Sequence, residues 1–360
     1  MKHIAFYLLF VFAVSPPVLA DDPAAGLSRD YLAADEASAK FRTHEIDPAI
    51  ARIPERLSRN VLSDYSTYLP QLAAFFKKDA ENDFQVIKRM HDWIDDNIAY
   101  QFYAKTDIKS VLADRRTNCV GYSALLKLLA GYAGIKADVV LGYSRSYLHP
   151  NGAAGTHAWN VVSLSGKRYL VDTTHDARER YRDGVRSQKK PYTDDELFLN
   201  PAYKILIDYP YERSYQLLDH AIGYAEFLSP PRVRLSFIRF GLAFADPAFA
   251  KTIVTARLPI PGTNLTGLSD GIKAVTPQRL ALANQSNLDV RLILADVKAG
   301  PNGDDPNPDY ERFARTETKD GQAVLTFSAP GKGDYRASVQ VRLPGGQTWE
   351  TVYSFVVMGE

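Results

Sequence analysis

Apolar side chains recur at three- and four-residue spacing between Asn82 and Ile98, with Val86, Ile87, Met90, Trp93, Ile94 and Ile98 on one face. The pattern predicts an amphipathic helix over 82–97, capped by Asn82, with Gln85 placed to return a bond to the cap. The same period returns over Cys119–Ala130, where Leu125, Leu126, Leu128, Leu129 and Tyr132 supply the apolar face. Thr117 or Asn118 can cap that helix, and Gly131 and Gly134 stop it. The period then changes to two. Ala137–Tyr143, Ala158–Leu164 and Arg168–Asp172 read as strands, the last two joined by a Ser165-Gly166 turn. The polar stretch 176–195 reads as a surface loop with solvated charges.

Beyond Ser229-Pro230-Pro231 the pattern is β throughout. Strands are expected at 232–243, 251–258, 287–296, 322–328, 334–343 and 349–357, separated by turn clusters such as Pro261-Gly262 and 301–306. In 335–343, Tyr335, Ala337, Val339, Val341 and Leu343 share one face while Arg336, Ser338, Gln340 and Arg342 share the other. That alternation suits a sandwich strand with one wet face.

The start of the chain follows neither period. Lys2 and His3 precede an apolar run, Ile4 to Val14, too short to span a bilayer, and then Ser15-Pro16-Pro17-Val18-Leu19-Ala20. This is a secretory signal pattern with cleavage expected after Ala20, so the chain is expected to be secreted or periplasmic. Residues 21–45 are polar and Ala-rich and read as a mobile or loosely docked lead-in. Length then leaves room for two domains of ~100–200 residues each, placed at 46–228 and 229–360. No transmembrane helix is expected in the mature chain. The formal net charge of +1 lacks the basic excess that nucleic acid or an anionic membrane would call for.

The chain has one cysteine, Cys119, so no disulfide forms within it. A lone cysteine in an exported chain, followed in order by His157 and Asp172, reads as a nucleophile with a base and an orienting carboxylate. The first turn of a helix presents unpaired N–H groups that stabilise a thiolate and can hold an oxyanion. A turn at Ser165-Gly166 sets Leu164 opposite Lys167 and Thr174 opposite His157. Asp172 then lies two positions from that partner on the same face, a diagonal of roughly 7–8 Å that two side chains can bridge. His149 and His175 are alternative bases, His175 falling beyond the strand. Trp159 walls the site or serves the core. Cys119, His157, His175 and Asp176 lack tight metal-ligand spacing, so neither metal nor cofactor is expected.

At these residues the chain resembles the transglutaminase-like superfamily of papain-like thiol enzymes. The resemblance rests on Cys119-Val120-Gly121-Tyr122-Ser123 opening a Leu-rich helix, on His157-Ala158-Trp159-Asn160-Val161-Val162, and on Tyr169-Leu170-Val171-Asp172-Thr173-Thr174. Trp93 to Tyr100 also fits, with Gln101 where the family usually has Asp. Leu197 to Tyr203 and Tyr215-Gln216-Leu217-Leu218 are similar to the kyphoscoliosis-peptidase and cytokinesis-protein branch. The resemblance covers about residues 80–230. It implies an α+β fold, a papain-like transglutaminase core of helices packed on an antiparallel sheet, followed by an all-β Ig-like sandwich. It implies acyl transfer on a protein or peptide-like substrate, with Cys119 attacking, His157 moving the proton and Asp172 steering the ring. The β domain would meet a protein or cell-wall partner, and a scaffold role or protein cross-linking is the alternative to hydrolysis. Some animal transglutaminases are calcium-activated; the Asp-rich loop 302–309 reads here as a plain turn.

Overall fold

The computed structural model describes residues 32–54, 57, 65–148, 154–182, 184–228, 231, 233–246, 249, 254–259, 266–284, 287–297, 308–319 and 321–359. The expected signal segment, the first part of the lead-in, His149 and most of the 302–309 loop lie outside them.

Three helices form one layer of the N-terminal part: α1 (Tyr65–Lys77), α2 (Asp83–Asn97) and α3 (Cys119–Tyr132). Asn82 caps α2, its Oδ1 accepting from the N–H of Phe84 at 3.0 Å and of Gln85 at 3.3 Å. Gln85 does not return a bond to the cap. Its Oε1 accepts from the N–H of Glu81 and its Nε2 donates to Asp47. Helix α3 ends in a Schellman arrangement in which Ile135 N–H reaches back to the Ala130 carbonyl at 2.8 Å. Gly134, at φ 80°, makes that reversal without a Cβ clash.

Behind α3 lies an antiparallel sheet of β1 (Ala137–Leu148), β2 (Ala154–Leu164), β3 (Lys167–Val171), β4 (Leu197–Leu199) and β5 (Asp208–Pro210), in the order β4-β3-β2-β1-β5. The β2–β3 turn is Ser165-Gly166, both at positive φ, with Leu164 opposite Lys167. Helix and sheet close on one core that includes Leu72, Phe76, Ile87, Trp93, Leu125, Leu129 and Val162. Residues 32–42 do not behave as a loose lead-in. Ala33 bridges to Leu199, Ala34 N–H bonds the Phe198 carbonyl, and buried Phe41 stacks on Phe84. The apolar anchors Leu32 and Phe41 are too widely spaced among polar neighbours to register as an element.

The C-terminal part is two packed β-sheets. One has four strands, β6 (Leu242–Phe244), β9 (Gln278–Asn284), β12 (Gln322–Phe327) and β11 (Ala314–Lys319) in that order. The other runs β7 (Val254–Pro259), β8 (Thr266–Lys273), β14 (Glu350–Gly359), β13 (Gly333–Arg342) and β10 (Asp289–Asp296), with β8 and β14 parallel. Leu280, Leu282 and Leu325 of the first sheet meet Leu292, Val339 and Phe355 of the second in one core. The expected strand 232–243 is instead a short helix, Leu235–Arg239, followed by β6. Adjacent Phe237 and Ile238 are both buried, which a strand with one wet face cannot provide. Strands β8, β9 and β11 carried no expectation. Ala314–Lys319 in particular is a mostly exposed, polar strand with no apolar alternation to read.

Gly142 on β1 pairs with His157 on one side and Pro210 on the other. A Cβ there would lie 2.5 Å from Cη2 of Trp159 and 2.9 Å from Cα of Pro210, and would also meet the Tyr209 carbonyl. Gly142→Ala is therefore expected to lower stability by about 1–3 kcal/mol in urea denaturation. Gly131→Ala, where a Cβ meets nothing within 4 Å, is expected to leave stability unchanged or raise it by up to about 1 kcal/mol.

Candidate active site

Cys119 opens α3 and is half-buried, a free thiol. Asn118, not Thr117, caps the helix, its Oδ1 accepting from Val120 N–H at 3.0 Å. The helix start is fixed by what precedes it. Arg116-Thr117 pairs in parallel with Ala99-Tyr100, Asn118 Nδ2 donates to the Phe102 carbonyl at 3.1 Å, and Thr117 Oγ1 donates to that of Lys105 at 2.9 Å. Gly121 lets Thr117 approach, since a Cβ at 121 would lie 2.9 Å from the threonine Cβ. Asn160 on β2 ties the helix to the sheet by donating to the Ser123 carbonyl at 3.0 Å.

His157 and Asp172 meet across the β2–β3 hairpin, Nε2 to Oδ2, at 2.6 Å. The ladder stops at Asn160–Val171, so Thr174 never reaches its place opposite His157. The chain turns instead into the short helix α4 (Thr173–Asp176), which Asp172 caps by accepting the Thr174 N–H on Oδ1 at 2.9 Å. With Nε2 committed to Asp172, Nδ1 is the ring nitrogen left for the sulfur. The Cys119 side chain is among the influences that raise the ring's pKa.

The electrostatics of this pair depend on a residue that sequence reasoning missed. Lys204 ends α5 (Pro201–Lys204) and is 3% exposed. Its ammonium lies 2.7 Å from Asp172 Oδ2, 2.8 Å from Glu196 Oε2 and 2.7 Å from Asp208 Oδ2. Burial alone would push Asp172 up; Lys204, then His157 and His175, outweigh it and hold the carboxyl well below the ordinary range. Burial would likewise push His157 down, but Asp172 and Asp208 raise it to about 10. The available signal was the sequence Asn200-Pro201, a cap followed by proline at the first helical position, with Lys204 and Asp208 four residues apart.

His175 packs on His157, ring centroids 4.8 Å apart and nearly parallel, with Nδ1 bonded to Glu196 at 3.0 Å and 3.7 Å from Asp172. It flanks the base. Trp159 is 1% exposed and lies beneath His157 at 5.8 Å, with the Lys204 ammonium 5.2 Å from its ring centre. His157, Asp172, His175 and Asp208 are close enough together to hold a cation, but Lys204 already places its ammonium on two of them. The stretch 176–195 is not uniformly solvated: Asp176, Glu179 and Asp194 are buried. No helix among the described residues is long and apolar enough to cross a membrane.

Residues 70–172 match the family model of the transglutaminase-like superfamily. The match ends on Asp172 and takes in Cys119 and His157. The chain is 27% identical over 194 residues to human kyphoscoliosis peptidase, covering 50% of this chain and 29% of that protein. It is 31% identical over 149 residues to hillarin of Drosophila melanogaster, covering 37% and 18%. The chain thus spans less than a third of the length of either relative. A solved structure titled a TGase is 18% identical, covering 38% of this chain and 36% of that one, with a TM-score of 0.25.

Two outcomes test the electrostatics. Lys204→Met leaves three buried carboxylates without their shared cation and is expected to cost about 3–5 kcal/mol in denaturant unfolding at neutral pH. The pH profile should also carry His157's signature. Its folded pKa of about 10 lies above the ~6.5 of a free imidazole. The stabilisation is therefore complete below pH ~6.5 and lost as pH rises through about 10. His157→Gln should destabilise the chain most at pH 6 to 7 and progressively less toward pH 10, read from urea midpoints across that range.

Proposed function

We propose that the chain is an exported thiol enzyme that hydrolyses amide bonds in protein or peptide-like substrates. The carrying observation is the His157 ring bonded to buried Asp172 at 2.6 Å, with the side chain of the chain's one cysteine, at the start of α3, among the groups that raise its pKa. His157 takes the proton of Cys119, and the thiolate forms a C–S bond to the substrate carbonyl. The start of α3 lends partial positive charge to the oxyanion. The imidazolium then protonates the leaving amine as the C–N bond breaks, and water, deprotonated by His157, releases the acid. With an amine in place of water the same steps cross-link. Export rests on the pattern of residues 1–20, and the C-terminal sandwich is the surface for a protein or cell-wall partner.

One observation favours a second reading, an interaction protein that keeps these residues as structure. The His157 side chain is 0% exposed, so substrate must reach the site from the cysteine's side.

Thiol reactivity separates the two. At pH 6.5, where a free thiol of pKa ~8.5 is almost wholly protonated, iodoacetamide is expected to label Cys119 at least tenfold faster in wild type than in His157→Ala. Cys119→Ala is expected to abolish release of free amine from peptide libraries. Labelling no faster than that of the urea-unfolded chain, with no amine released, would instead establish the interaction reading.

A further inference from the structure

A second buried constellation lies on the other side of α4. His91, on α2, is 0% exposed; Asp95, one turn further along, is 1%, and Asp176, the last residue of α4, is 4%. His91 Nε2 is 3.1 Å from Asp95 Oδ2 and 3.1 Å from Asp176 Oδ2, and the donor atoms of the three all lie within 4.8 Å of one another. On the far side of the ring, Nδ1 is 3.2 Å from Asp92 Oδ1. Asp92 is itself held by the Asp47 N–H at 2.7 Å, by Lys88 and by the Tyr192 hydroxyl.

We propose that His91 Nε2, Asp95 and Asp176 bind a divalent transition-metal ion that pins α2 to the turn carrying Asp172. Three features point to it. First, Nδ1 lies 3.2 Å from Asp92, so that in the neutral ring, with Nδ1–H donated there, the Nε2 lone pair would face two carboxylates, the arrangement in which a carboxylate orients a metal-ligating histidine. Second, an imidazolium would not satisfy the cluster. Its two N–H groups serve Asp92 and Asp176, yet neither oxygen of buried Asp95 receives a hydrogen bond from the described residues. A cation bonded to all three removes that deficit. Third, the two 3.1 Å separations from Nε2 fit edges of a coordination polyhedron. Bonds of ~2.0–2.1 Å give ligand–ligand edges of ~3.0 Å in an octahedron and ~3.3 Å in a tetrahedron. One imidazole with two carboxylates suits Zn²⁺ or Mn²⁺ over Ca²⁺, which takes an all-oxygen shell. Asp176 is prepared for the role, its Oδ1 accepting from the Thr193 hydroxyl and its Oδ2 from the Glu196 N–H, both at 2.9 Å. Because Asp172 caps the helix that Asp176 ends, an ion here would fix the backbone that presents Asp172 to His157. The binding itself does not depend on the proposed hydrolase activity.

The test uses the untagged full chain carrying Cys119→Ser, so that the thiol cannot ligate. Its metal content is measured by plasma mass spectrometry after purification without chelator. It is then stripped with a chelator and titrated with ZnCl₂ or MnCl₂. Close to one Zn or Mn per chain is expected, with Tm rising by several degrees when the ion is restored in large excess over its Kd. Asp95→Asn should lose the ion while His175→Ala, in the neighbouring cluster, keeps it. If Asp95→Asn does not fold, the metal content of the Cys119→Ser chain with and without His175→Ala decides, the ion being expected in both. Metal far below one per chain with no Tm response to either ion would overturn the proposal, leaving a proton-bridged cluster. So would an ion retained in Asp95→Asn and lost in His175→Ala.

Discussion

Asp172 is a carboxylate with almost no contact with water, and the site and its surroundings are arranged around keeping its charge. An isolated buried carboxylate would take up a proton, because stripping its hydration costs several kcal/mol even after the protein relaxes. Here three groups prevent that: the Lys204 ammonium, the His157 ring and the Thr174 N–H. Each comes from a different element, α5, β2 and α4. The charge of Asp172 therefore persists only when all three are in place, and assembly of the site is tied to completion of the fold around it. Lys204 is shared with Glu196 and Asp208, so the segment from β4 to β5 cannot move without disturbing the His157–Asp172 pair.

That segment also joins the two halves of the chain. Leu199 on β4 and Leu32 from the docked lead-in belong to the same apolar cluster as Phe237, Leu280 and Val352 of the C-terminal sheets. Arg239 crosses between the halves too, pairing with Asp195 at 2.7 Å and with Glu350 at 2.5 Å. The strand that leads into the lysine's short helix thus pairs with β3 on one edge and with Ala33 on the other, and packs Leu199 into the core of the sandwich. Packing changes in the sandwich have a direct mechanical route to Lys204 through Leu199 and the Asn200 cap.

The parts of this arrangement that were legible in the sequence are those set by local rules. A two-residue turn fixes hairpin register, so Ser165-Gly166 was enough to bring His157 and Asp172 to one face. Caps fix helix starts, so Asn82 and Asn118 marked α2 and the cysteine's helix. What stayed hidden depends on tertiary burial of charge. Lys88, Arg89, His91, Asp92 and Asp95 look like the wet side of an amphipathic helix, yet all are buried. Their partners Asp47, Asp176, Tyr192 and Asp194 come from segments 42 to 106 residues away in sequence. Lys204 is invisible for the same reason, since nothing local distinguishes a lysine that meets three carboxylates from one that meets water. The helix at 235–239 was misread because alternating Val233, Leu235 and Phe237 mimics a strand until Ile238 is also buried.

In the hydrolysis we propose, the same charges bear on how well the histidine can work. A ring whose pKa stands at about 10 holds its proton firmly, which makes the imidazolium a weak acid toward the leaving amine. Acylation of the sulfur removes the negative charge of a thiolate and lowers the ring's hold on the proton at the step where that proton is needed. Asp172 remains, and unopposed it would keep the proton in place. Lys204 opposes it, because an ammonium 2.7 Å from the same oxygen that faces the ring competes with the imidazolium for that charge. The lysine thereby does two things through one contact. It keeps Asp172 ionised so that the ring is steered, and it limits how strongly Asp172 binds the ring's proton, so that the same histidine can accept a proton from sulfur and give one up to nitrogen.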